Sequence, residues 1–266
     1  MVQSQASLKA GASSASMALV DFIYQLADDE LIVGHRSSEW LGMAPDIEED
    51  VAFASMAQDE IGHATFFYGL LETLGEGSAD ELAFARPVAT RRNARFLESE
   101  NGDWAETITR RLFYEVFEQN RLSALLESCY EPLAQGAQKI MREEYYHLLH
   151  IQTYFQRLAS AGGEARRRLE NAVQRLLPLA GDLFDLGPHR DALLETGILN
   201  RSEEQLRNMW LERIGSLLQE SGLSWPEATF GAPATRSGRR GEHTPALHQL
   251  LKIMGEVYFS DPGARW

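Results

Sequence analysis

The sequence contains almost no cysteine and no long hydrophobic run. Its single cysteine, Cys129, excludes an internal disulfide, fits a reducing cytoplasm, and is expected to be a small buried hydrophobic residue. No stretch of about 18 apolar residues occurs, so we expect no membrane span. The polar start, Met1 to Gly11, lacks the charged end and the apolar core of a signal peptide. These features together predict a cytoplasmic protein.

Positive charge is scarce as well. The chain carries 25 lysines and arginines against 39 aspartates and glutamates, which gives a formal net charge of −14. A chain this acidic repels phosphate backbones and anionic lipids, so neither nucleic acid nor a membrane is an expected partner. Its 266 residues, 44% of them hydrophobic, suffice for one sizeable core.

No alternating apolar pattern of useful length predicts a strand, whereas helical periodicity recurs along the chain. Four long helices are predicted at about 14–41 (beginning at Ser14 or Ser16), 45–75, 103–129 and 132–162. Shorter helices are predicted at about 78–86, 164–185, 189–199, 202–221 and 244–258, and residues 222–243 are predicted to be a loop. Pro45 suits the first turn of the second long helix, and Asp103 with Glu106 indicates the start of the third. Capping boxes are expected at Ser78 with Glu81 and at Ser202 with Gln205. One long connection, residues 75–102, separates the second long helix from the third, and such a crossover is typical of ferritin-like bundles.

The predicted fold class is therefore all-α: a ferritin-like four-helix bundle with a long crossover and additional C-terminal helices. We expect a single domain spanning residues 1–266. In this interpretation residues 1–15 are a flexible lead-in, residues 16–160 form the bundle core, and residues 161–266 add further helices.

Two helical stretches each contain the motif Glu-x-x-His: Glu60 with His63, and Glu144 with His147. Residues three apart share a face of an α-helix, so each motif directs one carboxylate and one imidazole the same way. A solvated helix face is the simpler interpretation, but apolar residues, among them Ile61 and Tyr145, surround both glutamates in the sequence and are expected to bury them. Because a buried carboxylate is costly unless it is paired or binds a metal, the sequence favours metal binding.

A further glutamate precedes each motif at nearly the same distance. Glu30 lies 30 residues before Glu60, and Glu115 lies 29 residues before Glu144. If a tight turn joins each pair of helices, the two glutamates of a pair lie at similar heights along the bundle. The pattern also repeats, since the three residues of the second set follow those of the first by 85, 84 and 84 residues.

Two single glutamates combined with two Glu-x-x-His motifs form the ligand set of carboxylate-bridged di-iron and di-manganese sites. Hard carboxylates with two imidazoles suit Fe(II), with Mn(II) as the alternative. The expected chemistry is activation of O₂ between two irons. The predicted metal ligands are Glu30, Glu60, His63, Glu115, Glu144 and His147.

Some assignments stay open at this point. Asp29 is an alternative to Glu30 as a ligand, and Glu118 is an alternative to Glu115. Position along the bundle axis and helical phase favour Glu30 and Glu115. A basic cluster near the C-terminus fits a phosphate, an acidic partner or a solvated loop. That cluster comprises Arg236, Arg239 and Arg240.

Five segments resemble the oxygenase subunits of phenylacetyl-CoA 1,2-epoxidase. They are Asp29–Gly34, Glu39–Pro45, Gln58–His63, Glu143–His147 and Gly238–Thr244. The resemblance extends from about residue 16 to Trp266. The Glu-Trp-x-Gly-x-Ala-Pro turn and the Gly-x-His-Thr-type segment before the last helix point to the C-type chain of that enzyme, while the Gln-Asp-Glu-x-Gly-His motif is also similar to its catalytic A-type chain.

This resemblance implies a bacterial multicomponent di-iron monooxygenase of aerobic phenylacetate breakdown, which converts the ring of phenylacetyl-CoA to an epoxide. The implied partners are a homologous ferritin-like catalytic chain of the A type, a small B-type chain and a flavin/iron–sulfur reductase. A homodimer is an alternative assembly. The six predicted ligands fall on the di-iron ligand positions of the family.

The chain departs from the family in one respect. The resemblance implies a C-type chain that has lost several ligands and is structural, whereas all six positions are occupied by suitable residues here. The sequence therefore predicts a C-type member with a complete di-metal ligand set. The alternatives are a self-sufficient di-iron oxygenase or oxidase, and a non-catalytic ferritin-like scaffold.

Overall fold

A computed structural model of the chain describes residues 2–226, 236–261 and 264. Every regular element in these residues is helical, which confirms the predicted all-α, ferritin-like class of fold. None of the described helices combines the length and the apolar character that crossing a bilayer requires. The chain divides into two compact units, Met1–Glu100 with Arg236–Trp266, and Asn101–Thr235. The organisation as a single domain stays a prediction.

The helices follow the predicted order. In chain order they are α1 (Val2–Ser38), α2 (Ile47–Thr73), α3 (Trp104–Leu125), α4 (Glu131–Ala161), α5 (Gly163–Leu176), α6 (Arg190–Glu195), α7 (Glu203–Glu220), α8 (Pro245–Met254) and α9 (Glu256–Ser260). The first unit contains α1, α2, α8 and α9, and the second contains α3 to α7.

In the first unit α1 and α2 pack side by side, joined by a turn at residues 39–46. Gly42 in this turn has a φ of 75°, a conformation that favours glycine. α1 begins at Val2, so the predicted start at Ser14 or Ser16 is wrong, and residues 2–15 of the expected flexible lead-in are helical. Alanine, glutamine, leucine and lysine are frequent there and favour a helix.

The start of α2 is fixed by Asp46, whose side chain accepts a hydrogen bond from Glu49 N at 2.9 Å. Pro45 lies just before this cap, so the prediction that it occupies the first helical turn is wrong. α2 ends at Thr73, close to the predicted end at Gly75.

The predicted crossover follows α2. Short elements interrupt it: a π-helical turn (Glu81–Ala85) and 3₁₀ turns at Val88–Thr90 and Arg95–Leu97. Ser78 and Glu81 form the predicted cap, since Ser78 Oγ donates to Glu81 Oε2 at 2.9 Å. The crossover also supplies arginines that bind carboxylates of α1.

In the second unit α3 packs against α4, α5 and α7. Asp103 caps α3 as predicted and accepts a hydrogen bond from Glu106 N at 2.9 Å. Trp210 of α7 is fully buried, donates Nε1–H to Phe113 O at 2.8 Å and packs edge-on against the Phe113 ring. These contacts fix α7 on the middle of α3.

Proline and glycine shorten two helices predicted in this unit. The helix predicted at 164–185 continues beyond α5 as a 3₁₀ segment, Leu177–Phe184, because Pro178 lacks the backbone donor of an α-helix. The helix predicted at 189–199 is represented by α6, which ends before Gly197, where φ is 75°. α7 has the predicted capping box of Ser202 and Gln205.

The region around Cys129 and the C-terminal part of the chain differ from the predictions. α3 ends before Cys129, and that cysteine is exposed rather than buried. The single helix predicted at 244–258 is divided into α8 and α9 at Gly255, a residue type of low helix propensity. Of the loop predicted at 222–243, residues 227–235 lie outside the described residues.

Candidate metal centre

Three of the predicted ligands meet in the first unit. Glu30 of α1 and Glu60 and His63 of α2 each offer a ligand atom within 4.8 Å of the other two, and all three side chains are buried. His63 Nδ1 lies 3.4 Å from Glu30 Oε2 and 3.7 Å from Glu60 Oε2. We call these three residues the first cluster.

Gly34 allows α1 and α2 to approach closely beside the first cluster. A Cβ at Gly34 would lie 3.0 Å from Glu60 Cβ and 3.1 Å from Ile61 Cδ1, which is tighter than side chains normally pack. Gly34 follows Glu30 by about one helical turn, so the close approach occurs at the level of the cluster.

Electrostatics in the first cluster favour a bound cation. Burial alone would lower the pKa of His63, but its hydrogen bonds to Glu30 and Glu60 and the charges of both carboxylates outweigh burial and raise the pKa to about 12. The imidazole therefore holds a proton between two carboxylates at neutral pH. A metal ion that binds His63 has to displace this proton.

Asp28, Asp29 and Glu30 are three consecutive carboxylates with no exposed surface. Successive residues of a helix point about 100° apart, so each meets different neighbours. Asp28 accepts hydrogen bonds from Arg86 at 3.0 and 2.8 Å and from Tyr68 Oη at 2.6 Å. Burial raises the pKa of Asp28, but the positive charges of Arg86 and a second arginine outweigh it and lower the pKa to about 2.

Asp29 is bound by an arginine rather than facing the first cluster. Arg239 donates to both Asp29 carboxylate oxygens, Nη1 at 2.8 Å and Nη2 at 2.7 Å. The geometry therefore favours Glu30 over Asp29 as the cluster's carboxylate. Arg239 is 1% exposed, which excludes the solvated-loop interpretation for this residue, whereas Arg236 and Arg240 are exposed.

The other three predicted ligands meet in the second unit. Glu115 of α3 and Glu144 and His147 of α4 each offer a ligand atom within 4.8 Å of the other two, and all three are buried. His147 Nδ1 lies 3.2 Å from Glu144 Oε1. These residues form the second cluster, which has the same donor types as the first.

Buried arginines lie on α3 beside the second cluster. Arg111 forms an ion pair with Glu115 four residues later, and Arg121 forms one with Glu118 three residues earlier. Both glutamates are therefore bound by an arginine, but Glu115 rather than Glu118 offers a ligand atom within 4.8 Å of those of Glu144 and His147, which favours Glu115 as the cluster's carboxylate. Sequence reasoning missed Arg111, although its i,i+4 spacing from Glu115 is a recognisable helical pattern.

Glu60 and Glu144 are buried, but not all of the apolar residues next to them in the sequence help to bury them. Glu60 and Glu144 have no exposed surface, yet Ile61 is 38% exposed and Tyr145 is 56% exposed. The next residue on a helix points about 100° away, so it leaves the buried face. The prediction that both glutamates are buried is confirmed, but Ile61 and Tyr145 do not contribute to that burial as expected.

The residues present fit a metal such as iron or manganese. Each cluster offers two carboxylates and one imidazole, the hard oxygen and nitrogen donors that Fe(II) and Mn(II) accept. Buried carboxylates placed this close together repel each other unless a cation lies between them. Both clusters could therefore hold a metal ion.

Comparison with known proteins agrees with the sequence pattern. The family model described as phenylacetic acid catabolic protein matches residues 3–266. The chain is 30% identical over 250 residues to the C component of 1,2-phenylacetyl-CoA epoxidase from Escherichia coli strain K12, covering 93% of this chain and 99% of that component. It is 22% identical over 214 residues to the A component of the same enzyme, covering 79% and 69% of the two chains. The chain therefore belongs to the phenylacetic acid catabolic protein family.

Proposed function

We propose that this chain is the C-type member of a phenylacetyl-CoA epoxidase complex. The observation that carries the proposal is the match to the C component over 99% of that component's length. The match to the A component is weaker and covers less of both chains. The reaction of the complex would be epoxidation of the ring of phenylacetyl-CoA in aerobic phenylacetate breakdown, and its place would be the cytoplasm.

The proposed partners follow from this assignment. They are a homologous ferritin-like catalytic chain of the A type, a small B-type chain and a flavin/iron–sulfur reductase that supplies electrons. Co-expression of this chain with the A-type chain from the same genome tests the central contact. We expect a stable complex of the two on size-exclusion chromatography. A chain that elutes alone, soluble and uniform, would contradict the assignment, and a homodimer would point to the alternative assembly.

We further propose that the two clusters together supply the ligands of a di-iron centre, with manganese as the alternative metal. Its ligands would be Glu30, Glu60, His63, Glu115, Glu144 and His147. The proposal is supported by the matching donor types of the two clusters and by the repeated spacing of their residues along the chain. When bound, such a metal pair supplies the redox chemistry that activates O₂.

The chain's own residues would prepare this site in two ways. The glutamates compensate the metal charge, and the histidines bind through a ring nitrogen once it has lost its proton. Burial of all six side chains excludes bulk water, which strengthens every charge interaction among them. Tight packing of α1 on α2 at Gly34 fixes the distance between Glu30 and the α2 motif.

A second candidate function is a self-sufficient di-iron oxygenase or oxidase. The completeness of both clusters favours it, because a purely structural chain has no need of six suitable ligands. Iron-loaded chain supplied with a reductase but no A-type partner would then consume O₂ in the presence of substrate. Absence of turnover under these conditions would reject this candidate. Elemental analysis separates both functions from a third, a scaffold that holds no specific metal.

A further inference from the structure

The segment Ser237–Thr244 lies directly on the crossover of the first unit. A Cβ added at Gly238 would clash with the Asn93 carbonyl oxygen, and one at Gly241 would clash with that of Ala89. Gly241 also has a φ of 77°, which other residue types rarely adopt. The two glycines therefore permit a backbone contact that any larger residue would prevent.

His243 anchors the end of this segment. Its Nδ1 lies 2.6 Å from Glu98 Oε1 and its Nε2 lies 3.0 Å from Arg91 O. Thr244 N donates to the other oxygen of Glu98 at 2.6 Å. Glu98 has no exposed surface, so these bonds attach the segment to the crossover in a buried position.

Arg239 extends from the same segment to α1. Its guanidinium binds both oxygens of Asp29 at 2.8 and 2.7 Å, and Nη1 also donates to Arg92 O at 2.7 Å. Ala94 N of the crossover donates to Asp29 Oδ1 at 2.8 Å. Asp29 is therefore held by the crossover and by the C-terminal segment together, and Arg239 reaches it across 210 residues of sequence.

A fully buried ion pair is a poor way to gain stability, because desolvation offsets much of the attraction, but it does fix one geometry. Asp29 immediately precedes Glu30, and Asp28 is held in turn by Arg86. Two successive carboxylates are thus bound in two different directions around α1. Together these contacts fix the orientation of α1 about its own axis, and in this orientation Glu30 points toward His63.

We propose that Arg239 is a positioning residue for the first cluster. Through Asp29 it holds α1 in the rotation that directs Glu30 at His63, so metal binding by the cluster depends on the Ser237–Thr244 segment. The inference rests on the proposed metal-binding function. Arg239 itself does not belong to the cluster.

The test is a titration of the full-length, metal-free chain with Mn(II), followed by electron paramagnetic resonance. Arg239→Lys keeps the charge but loses the two-point contact with Asp29. We expect its Mn(II) affinity to fall about 10- to 100-fold, the range found when a residue that orients a ligand is replaced, with a changed line shape of the bound ion. Arg240→Gln, an exposed neighbour, is the matched control and should bind as the wild type does.

A double variant guards against a simple folding defect. Asp29→Asn with Arg239→Gln removes both charges, so no unpaired charge is left buried, and we expect the same weakening of Mn(II) binding. Wild-type affinity and line shape in both test variants would overturn the proposal, even if their melting temperatures fall. Failure of both variants to fold would also overturn it, since the pair would then serve stability. If the wild-type chain itself binds no Mn(II), that result counts against the proposed metal-binding function, on which the role of Arg239 rests.

Discussion

The two clusters contain the same donor types at nearly the same spacing along the chain, but the neighbouring arginines bind different carboxylates. Beside the first cluster, Arg239 binds Asp29, the neighbour of Glu30. Beside the second, Arg111 binds Glu115, which belongs to the cluster itself. A metal ion at the second cluster therefore has to compete with a buried guanidinium for one carboxylate. Equal ligand sets need not bind a metal equally, and we expect the first cluster to bind it more tightly.

The largest effect should come from removing one carboxylate of either cluster. Glu60→Gln and Glu144→Gln should each lower the metal content from about two ions per chain to one or less, because each removes a charged ligand. Elemental analysis of protein from iron-rich medium measures this. Asp59→Asn and Glu143→Gln change the preceding residue of each motif and serve as matched controls. Unchanged metal content in Glu60→Gln or Glu144→Gln would show that the altered cluster holds no metal.

Breaking the ion pairs around the first cluster should have the largest effect on folding. Asp28→Asn leaves Arg86 and the fully buried Arg91 without this carboxylate partner and should lower the free energy of unfolding by about 3–5 kcal/mol. Thermal denaturation of the metal-free chain at pH 7 measures this loss. Glu164→Gln in the second unit, which breaks only exposed ion pairs, should leave the melting temperature nearly unchanged.

The same carboxylate gives a pH dependence with a definite sign. The pKa of Asp28 is lowered from its ordinary value of about 4 to about 2 in the folded chain. The stabilisation that its charge provides is therefore complete above about pH 4 and is lost as the pH falls toward 2. The stability difference between wild type and Asp28→Asn should therefore shrink across that interval. A difference that stayed constant down to pH 2 would show that the charge of Asp28 is not its source.

A smaller effect should follow from removing the competing cation of the second cluster. Arg111→Met should strengthen Mn(II) binding several-fold and lower the stability of the metal-free chain, because Glu115 loses an ion-pair partner. Isothermal titration calorimetry measures the affinity. Arg142→Met removes an exposed arginine near Glu144 and is the control. Unchanged or weaker binding in Arg111→Met would contradict the competition between Arg111 and the metal.

The smallest expected effects are at the helix starts, where the two units should behave alike. Asp46 caps α2 and Asp103 caps α3, each through a hydrogen bond of 2.9 Å. Asp46→Ala and Asp103→Ala should each lower the free energy of unfolding by about 1 kcal/mol. Paired urea denaturation curves compare them, and a cost of several kcal/mol at either cap would mean that the aspartate does more than begin a helix.

Local patterns in the sequence predicted much of the fold and the composition of both clusters. Some features are formed by residues close to one another in the sequence, so they could be recognised from the sequence alone. Examples are the caps at Asp103 and Ser202 and the i,i+3 pairing of Glu60 with His63. The break between α8 and α9 at Gly255 was missed, because a single glycine is tolerated in many helices and packing decides whether it ends one.

Contacts between distant segments could not be predicted in the same way. The sequence placed Arg239 in a basic cluster but contained no signal for its partner Asp29, because 210 residues separate the two and no helical spacing relates them. That contact also supports the choice of Glu30 over Asp29, which helical phase had favoured without deciding. Arg111 is different, since its spacing from Glu115 was visible in the sequence and was overlooked.

The central claim is that the six buried residues hold a pair of metal ions. Anomalous diffraction at the iron absorption edge, from crystals of the iron-loaded chain, tests it most directly. We expect about two iron peaks, with the carboxylate oxygens and imidazole nitrogens of both clusters as their ligands. Crystals without iron peaks at these residues, or with iron bound only elsewhere on the chain, would contradict it.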